Sequence, residues 1–244
     1  GTSAATLSGT PDGGQDWLHY GNDPGGKRFS PLAQIDASNV GALTRAWTFS
    51  LGKEPSGEPA PFEATPLKIG NRLFVCSGYN DVIALDPETG KQLWRFAARA
   101  SVNGVFGQTC RGVTYYKNAS ADAAALCVER IYTATIDSRL LAVDAATGRS
   151  CPGFGSNGAV DLLKGISPAP VGYYHVTSPP AVIRGKLVIG GWVTDGQTTG
   201  EPSGVIRAYD AVTGTFAWAW DMGRPDRTGE PGPGEHYTPG TPNS

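Results

Sequence analysis

Spacing alone decides most about the four cysteines, at 76, 110, 127 and 151, and the three histidines, His19, His175 and His236. A structural zinc site needs thiolates or imidazoles paired a few residues apart. No two cysteines are adjacent or form Cys-x-x-Cys, and the histidines lie far from one another, so zinc chemistry is disfavoured. Cys110 and Cys127 flank a polar segment, 115–125, that reads as an excursion loop. A disulfide could close it in an oxidising compartment; two buried thiols are the alternative. The other groups that could do chemistry are oxygens and a guanidinium. Glu63 stands in Glu-Ala-Thr-Pro, Arg111 in Thr-Cys-Arg-Gly, and Thr177 and Ser178 before Pro179-Pro180. Asp195 precedes Gly196, Ser203 precedes Gly204, and Asn243 lies near the last residue. Singly, each has an ordinary reading: a strand-end carboxylate, a surface ion pair worth little, a strand start before rigid prolines, a turn pair.

The elements that must position these groups are set by a repeat. Ala84-Leu85-Asp86-Pro87-Glu88-Thr89-Gly90 recurs as Ala142-Val143-Asp144-Ala145-Ala146-Thr147-Gly148 and as Ala208-Tyr209-Asp210-Ala211-Val212-Thr213-Gly214. Each copy is an alternating strand, then an Asp-x-x-Thr-Gly turn. Asp can bond the backbone two residues on, and Gly takes the positive φ that a β-branched residue cannot. The aspartates lie 58 and 66 residues apart. Strand-built self-similarity at such a period signals a β-propeller with one blade per repeat, each carrying a sizeable loop.

The expectation is therefore an all-β propeller of four-stranded blades. Residues 1–16 read as an arm, and the blades as approximately 50–96, 97–160 and 161–221, with 222–244 starting another. In the first blade the strands are 63–67, 72–76, 81–85 and 91–96, and 43–49 reads as an incoming strand. The second uses 112–116, 129–134, 140–143 and a weak last strand at 151–154, where the tryptophan position is blurred. The third uses 177–182, 186–191, 204–209 and 215–220. Trp47, Trp94, Trp218 and Trp220 read as core aromatics that dock one blade on the next. Three blades do not close a ring, and open sheet edges invite association, so the remaining half of a longer propeller, or self-association, is expected at those edges.

Bulk composition agrees. With 34 Gly and 19 Pro in 244 residues the chain is turn-rich, and its formal charge of −2 gives no electrostatic case for nucleic acid. No apolar run approaches the roughly 18 residues that span a bilayer, and no signal peptide opens the sequence. Asn118-Ala119-Ser120 matches a glycosylation acceptor, a pattern common by chance that marks a surface loop.

Six motifs in order across 16–244 resemble the pyrroloquinoline quinone (PQQ)-dependent dehydrogenases. They are Trp17-x-x-Tyr20-Gly21-x-Asp23, the Asp36-Ala37-Ser38-Asn39-Val40 run, Phe62-Glu63-Ala64-Thr65-Pro66, Thr109-Cys110-Arg111-Gly112-Val113, Thr177-Ser178-Pro179-Pro180 and Ser203-Gly204-Val205-Ile206-Arg207. The similarity is greatest to the membrane-bound glucose and quinate/shikimate members. It implies an eight-bladed propeller with PQQ and a divalent metal, Ca²⁺ or Mg²⁺, on its axis. It also implies a periplasmic domain of an inner-membrane protein that passes electrons from a polyol substrate to ubiquinone.

The resemblance gives the scattered groups roles. PQQ is a planar ortho-quinone with three carboxylates, so its site needs cationic and hydroxyl donors, a hard cation held by oxygen ligands and a carboxylate base. Glu63, Arg111, Thr177, Ser178, Ser203 and Gly204 are expected at the cofactor, and Asp195 and Asn243 at the metal. The family's aspartate base lies beyond the part this chain matches, so no catalytic residue is expected here and the chain alone is expected to be inactive. Two departures bear on substrate: glucose-oxidising relatives carry a His where this chain has Gly107, and an Arg where it has Ser50. Their absence favours quinate or shikimate over glucose. The adjacent cysteines of the PQQ alcohol dehydrogenases are also missing. A propeller that is a non-catalytic scaffold would keep the turns but would need none of Glu63, Arg111, Thr177 or Asp195.

Overall fold

A computed structural model describes residues 16–52, 62–194, 196 and 200–241. Three four-stranded antiparallel sheets carry the chain. The first is β1 (Leu67–Ile69), β2 (Arg72–Cys76), β3 (Val82–Leu85) and β4 (Gln92–Phe96), paired in that order. The second is β5 (Thr114–Lys117), β6 (Glu129–Ala134), β7 (Arg139–Asp144) and β8 (Ala159–Asp161). In the third, β10 (Ala181–Ile183), β11 (Lys186–Ile189), β13 (Ile206–Asp210) and β14 (Phe216–Trp220) pair in sequence. A two-stranded ladder, β9 (Tyr174–His175) with β12 (Trp192–Val193), leaves this last sheet between its neighbours in sequence.

The period-2 alternation of each strand sends side chains to two different interfaces. In β2, Phe74 and Cys76 join a core with Val113, Ile131 and Ala145 of the second sheet, while Leu73 and Val75 pack with Trp47, Phe49 and Leu51 on the opposite face. In β6, Ile131 faces the first sheet, and Tyr132 and Ala134 share a core with Leu187, Ile189 and Tyr209 of the third. The apolar cores thus lie between successive sheets, as blades stack around an axis.

The repeated turns behave alike. Asp86, Asp144 and Asp210 each accept from the amide and hydroxyl of the Thr three residues on, through Oδ1. Each turn closes on a Gly with φ near +70°. Two of these glycines are docking points. A Cβ on Gly90 would lie 2.5 Å from the Trp47 ring, and one on Gly148 2.7 Å from the Trp94 ring. The third, Gly214, instead faces the Gly155 backbone and Val160, where the second blade carries no tryptophan.

Several expectations are corrected. Segment 43–49 has the alternation of a strand but forms no ladder. The first inner strand begins at Leu67, and Glu63 lies in the extended segment before it. The last strand of the second sheet is Ala159–Asp161; residues 151–154 instead form a turn ahead of it, with Phe154 buried against Tyr132. The disulfides join Cys76 to Cys110 and Cys127 to Cys151, so Cys110 and Cys127 do not pair. Trp218 and Trp220 are 37% and 42% exposed on the outer strand of the third sheet and do not fill a core in this chain.

Gly148→Ala would meet both the ring of Trp94 and a left-handed backbone, so it should destabilise by more than about 1 kcal/mol, measured by denaturant unfolding. In the Trp94→Ala background the steric part of that loss should vanish. A second expectation concerns Asp210. Burial pushes its pKa up, but the amides of Thr213 and Val212 and the Lys186 ammonium outweigh this and hold it down at about 2. The folded value lies below the unfolded one, so this stabilisation is complete above about pH 4 and lost as pH falls toward 2. The stability difference between Asp210→Asn and the parent should shrink across that window in pH-dependent unfolding.

Candidate functional site

The segments that lead into the inner strands of the three sheets are bonded to one another at one level. The Thr65 amide donates to the Arg111 carbonyl at 3.0 Å, and the Arg111 amide donates to the Thr177 carbonyl at 2.9 Å. Side chains converge on this row. The Thr109 hydroxyl donates to Glu63 Oε2 at 2.6 Å, Arg111 Nε stands 4.0 Å from the same oxygen, and Arg111 Nη1 donates to Thr177 Oγ1. Thr177 is buried, whereas the side chains of Glu63 and Arg111 remain 49% and 45% exposed.

A groove of about 760 Å³ runs from Arg111 and Ser178 along the inner strands to Arg184. That volume suits a small organic ligand. One wall is the N-terminal segment: Trp17 bridges Lys68 on the free edge of β1, and this brings Tyr20 into the groove beside Arg111. The Tyr20 ring lies against Gly112, and its hydroxyl bonds the side chains of Arg28 and Thr65. The Arg28 guanidinium also lies over the ring, 4.9 Å from its centroid. The Arg28 and Thr65 hydrogen bonds, with Arg111 nearby, hold the phenol pKa below the ordinary value.

Glu63, Arg111 and Thr177 are therefore brought together, and Ser178 lines the same groove. Ser203 and Gly204 are buried and engaged elsewhere: both meet the Thr241 hydroxyl, Gly204 through its amide at 2.8 Å. Asp195 and Asn243 lie outside the described residues. Among the described residues no group of three His, Cys, Asp or Glu could hold a metal ion. His175 is buried, stacked on Trp192 at 4.5 Å, with Nδ1 3.0 Å from the Gly172 carbonyl; burial lowers its pKa, so the ring is a neutral core group.

Sequence reasoning passed over Thr109, Thr65 and Tyr20. Thr109 had a signal, because it lies two residues from Arg111 in an extended segment and shares its face. Tyr20 had none beyond its place in a motif, since its role depends on where the N-terminal segment returns.

Residues 17–244 match the family described as PQQ: glucose/ethanol/alcohol dehydrogenase, β-propeller domain. The chain belongs to this family. It is 41% identical to the glycerol dehydrogenase large subunit of Gluconobacter oxydans, covering 99% of this chain and 33% of that protein. It is 40% identical to quinoprotein glucose dehydrogenase A of Acinetobacter calcoaceticus and 39% identical to the quinate/shikimate dehydrogenase (quinone) of Acinetobacter baylyi. Each of these matches covers 94% of this chain and 30% of the relative. Among solved structures, the quinohemoprotein alcohol dehydrogenase of Comamonas testosteroni superposes with a TM-score of 0.68 at 29% identity, over 84% of this chain and 27% of that one. The chain thus spans about a third of the length of the curated relatives it matches, and its three sheets are blades of a PQQ-dehydrogenase-type propeller.

The geometry makes a spectroscopic expectation. Burial raises the pKa values of Tyr115, Tyr132, Tyr209 and Tyr237, whereas the hydrogen bonds of Arg28 and Thr65 lower that of Tyr20. Ultraviolet titration should show Tyr20→Phe removing a phenol that ionises below the ordinary range, and Arg28→Ala moving that ionisation to higher pH.

Proposed function

We propose that this chain is part of a PQQ-dependent dehydrogenase that oxidises a cyclic polyol acid of the quinate/shikimate type. In this reading the complete protein is an eight-bladed propeller, the periplasmic domain of an inner-membrane protein that passes electrons to ubiquinone. The observation that carries it is the convergence of Glu63 and Thr177, from the blades on either side, on Arg111, whose side chain lines the groove. A scaffold propeller has no need of that arrangement.

The residues present fit the cofactor. Arg111 keeps much of its guanidinium open to the groove, and hydroxyls of Ser178 and Tyr20 line the same space. A guanidinium flanked by hydroxyl donors suits carboxylates on a planar ring edge. When bound, PQQ supplies the two-electron acceptor for alcohol oxidation. Arg111 would pair with its carboxylate or quinone-oxygen edge, with Thr177 fixing the guanidinium from behind. Glu63, steadied by Thr109, would sit at the ring edge with its charge offset by Arg111. A hard cation, Ca²⁺ or Mg²⁺, is assigned to Asp195 and Asn243, whose carboxylate and amide oxygens suit it. Ser203 and Gly204, now bonded to Thr241, would be the third blade's further contribution to the cofactor site.

The substrate assignment rests on two positions. Gly107 carries no side chain and has open space around it, and the Ser50 hydroxyl is taken up by the Gly52 amide at 3.3 Å. Neither supplies the cationic or imidazole group that the glucose-oxidising pattern places there. A second reading, oxidation of a smaller linear polyol, is favoured by the 41% identity to a glycerol dehydrogenase large subunit; glucose is the third candidate. The test uses the full-length polypeptide with PQQ, Ca²⁺ and an artificial electron acceptor. Turnover should be highest with quinate or shikimate, and Arg111→Lys should weaken PQQ binding ten- to a hundredfold, the loss of a charge-assisted bond worth about 1.5–3 kcal/mol. Preference for glycerol or glucose refutes the substrate assignment, and absence of PQQ binding refutes the cofactor reading.

A further inference from the structure

Arg111 is reached through a long irregular approach. Between β4 and β5 the chain runs from 97 to 113 without a strand, passes left-handed glycines at 104 and 107, and leaves Phe106 74% exposed. The segment's first residues are held by the Ala98 amide on Asp81 and the Ser101 amide on Asp137, well short of Arg111, and the Thr109 hydroxyl on Glu63 ties it near its end. The residue before Arg111, however, is Cys110, which is buried and covalently joined to Cys76, the last residue of β2. Cys76 sits in the core between the first and second sheets, with Val113 and Ile131.

We propose that the Cys76–Cys110 disulfide is a positioning device for Arg111. It fastens the start of the Arg111 segment to the first blade, the same blade that presents Glu63. The backbone on the other side of the bridge is then fixed by the hydrogen bonds to Thr65 and Thr177. Covalent anchor and hydrogen bonds together hold the Arg111 backbone in place, so its side chain meets Glu63 and Thr177 without searching. The cost of ordering that long side chain is thereby met before a ligand arrives. The inference rests on the reading of Arg111 as a cofactor residue.

The second disulfide provides an internal contrast. Cys127–Cys151 closes a segment of similar length, with a sequence separation of 24 against 34. It is also buried, but it lies between the loop 118–128 and the turn after β7, next to no residue of the groove. A disulfide that only restrains the unfolded chain acts through the length of the segment it closes. On that account the two bridges should have equivalent effects. A positioning role predicts that they differ in ligand affinity alone.

The experiment measures PQQ affinity by quenching of tryptophan fluorescence, in the presence of Ca²⁺, together with Tm, for the full-length polypeptide. Cys76→Ala with Cys110→Ala should weaken PQQ binding tenfold or more at a temperature well below Tm. Cys127→Ala with Cys151→Ala should lower Tm comparably while leaving PQQ affinity within twofold of the parent. In an Arg111→Ala background, removing Cys76 and Cys110 should add little, because the bridge acts through Arg111. Cys76→Val with Cys110→Ala refills the volume of the lost sulfur without the covalent link. It should show the same weakening, and it serves as the test protein if the alanine pair does not fold. Affinity indifferent to the Cys76–Cys110 bridge, equally sensitive to both bridges, or still falling in the Arg111→Ala background overturns the proposal. A parent protein that binds no PQQ overturns the cofactor reading itself.

Discussion

The backbone of Arg111 is bonded on both sides, its carbonyl to Thr65 and its amide to Thr177. That pair of hydrogen bonds ties three blades at one level on their inner edges, and the rest of the site depends on it. If either bond shifted, Glu63 and Thr177 would no longer meet one guanidinium. The bonds can form only where the inner segments approach closely, and the spacing of the blades decides that. Spacing in turn comes from large apolar side chains between sheets, and from indole rings seated on turn glycines that leave no room for a Cβ. Packing at the periphery thus sets polar geometry at the axis.

This hierarchy explains what could be read from the residues and what could not. The Asp-x-x-Thr-Gly turns were legible because everything that shapes them is local: a carboxylate, an amide three residues on, and a glycine. Glu63, Arg111 and Thr177 could be singled out because they stand in motifs beside inner strands, while their meeting at one level could not be read from those motifs. The cysteine pairing was not legible, because sequence proximity suggested Cys110 with Cys127 while the blade interface that each sulfur reaches decided otherwise. Cys76 and Cys110 face the interface of the first two blades, and Cys127 and Cys151 face the next one. Which interface a side chain reaches depends on non-local stacking. The displaced last strand of the second blade has a related cause. Gly155 and Val160 occupy the place at Gly214 that a ring takes at the other two turns, so the aromatic marker of that strand was missing.

The indoles divide into two kinds for the same reason. Trp47 and Trp94 each have a turn glycine beneath them, and Trp47 also donates to the Pro87 carbonyl at 3.1 Å. Trp218 pairs across from Ala208 as Trp94 does from Ala84, so the two occupy equivalent places in their sheets, yet Trp218 is exposed. The residue type is specified by the repeat, while its burial is specified by a neighbouring blade. A sequence reading that treats such a tryptophan as core is a statement about the repeat, and what packs on each copy then decides how far it is buried.

The inner edge raises a problem of its own. A strand edge facing an axis offers unpaired amides and carbonyls that would otherwise recruit another strand. This chain answers it with proline and with cross-blade bonds. Pro66 precedes β1, and Pro179 and Pro180 precede β10, where they remove amide donors at the axial edge. At that level the Thr65 amide pairs with the Arg111 carbonyl and the Arg111 amide with the Thr177 carbonyl. The side chains that meet across the blades then come from the positions just ahead of the inner strands. Those are the positions of Glu63, Arg111 and Thr177. The solution to the edge problem and the placement of the site are therefore the same feature: a row of backbone bonds across three blades that leaves Arg111 facing the groove, with Glu63 and Thr177 beside it.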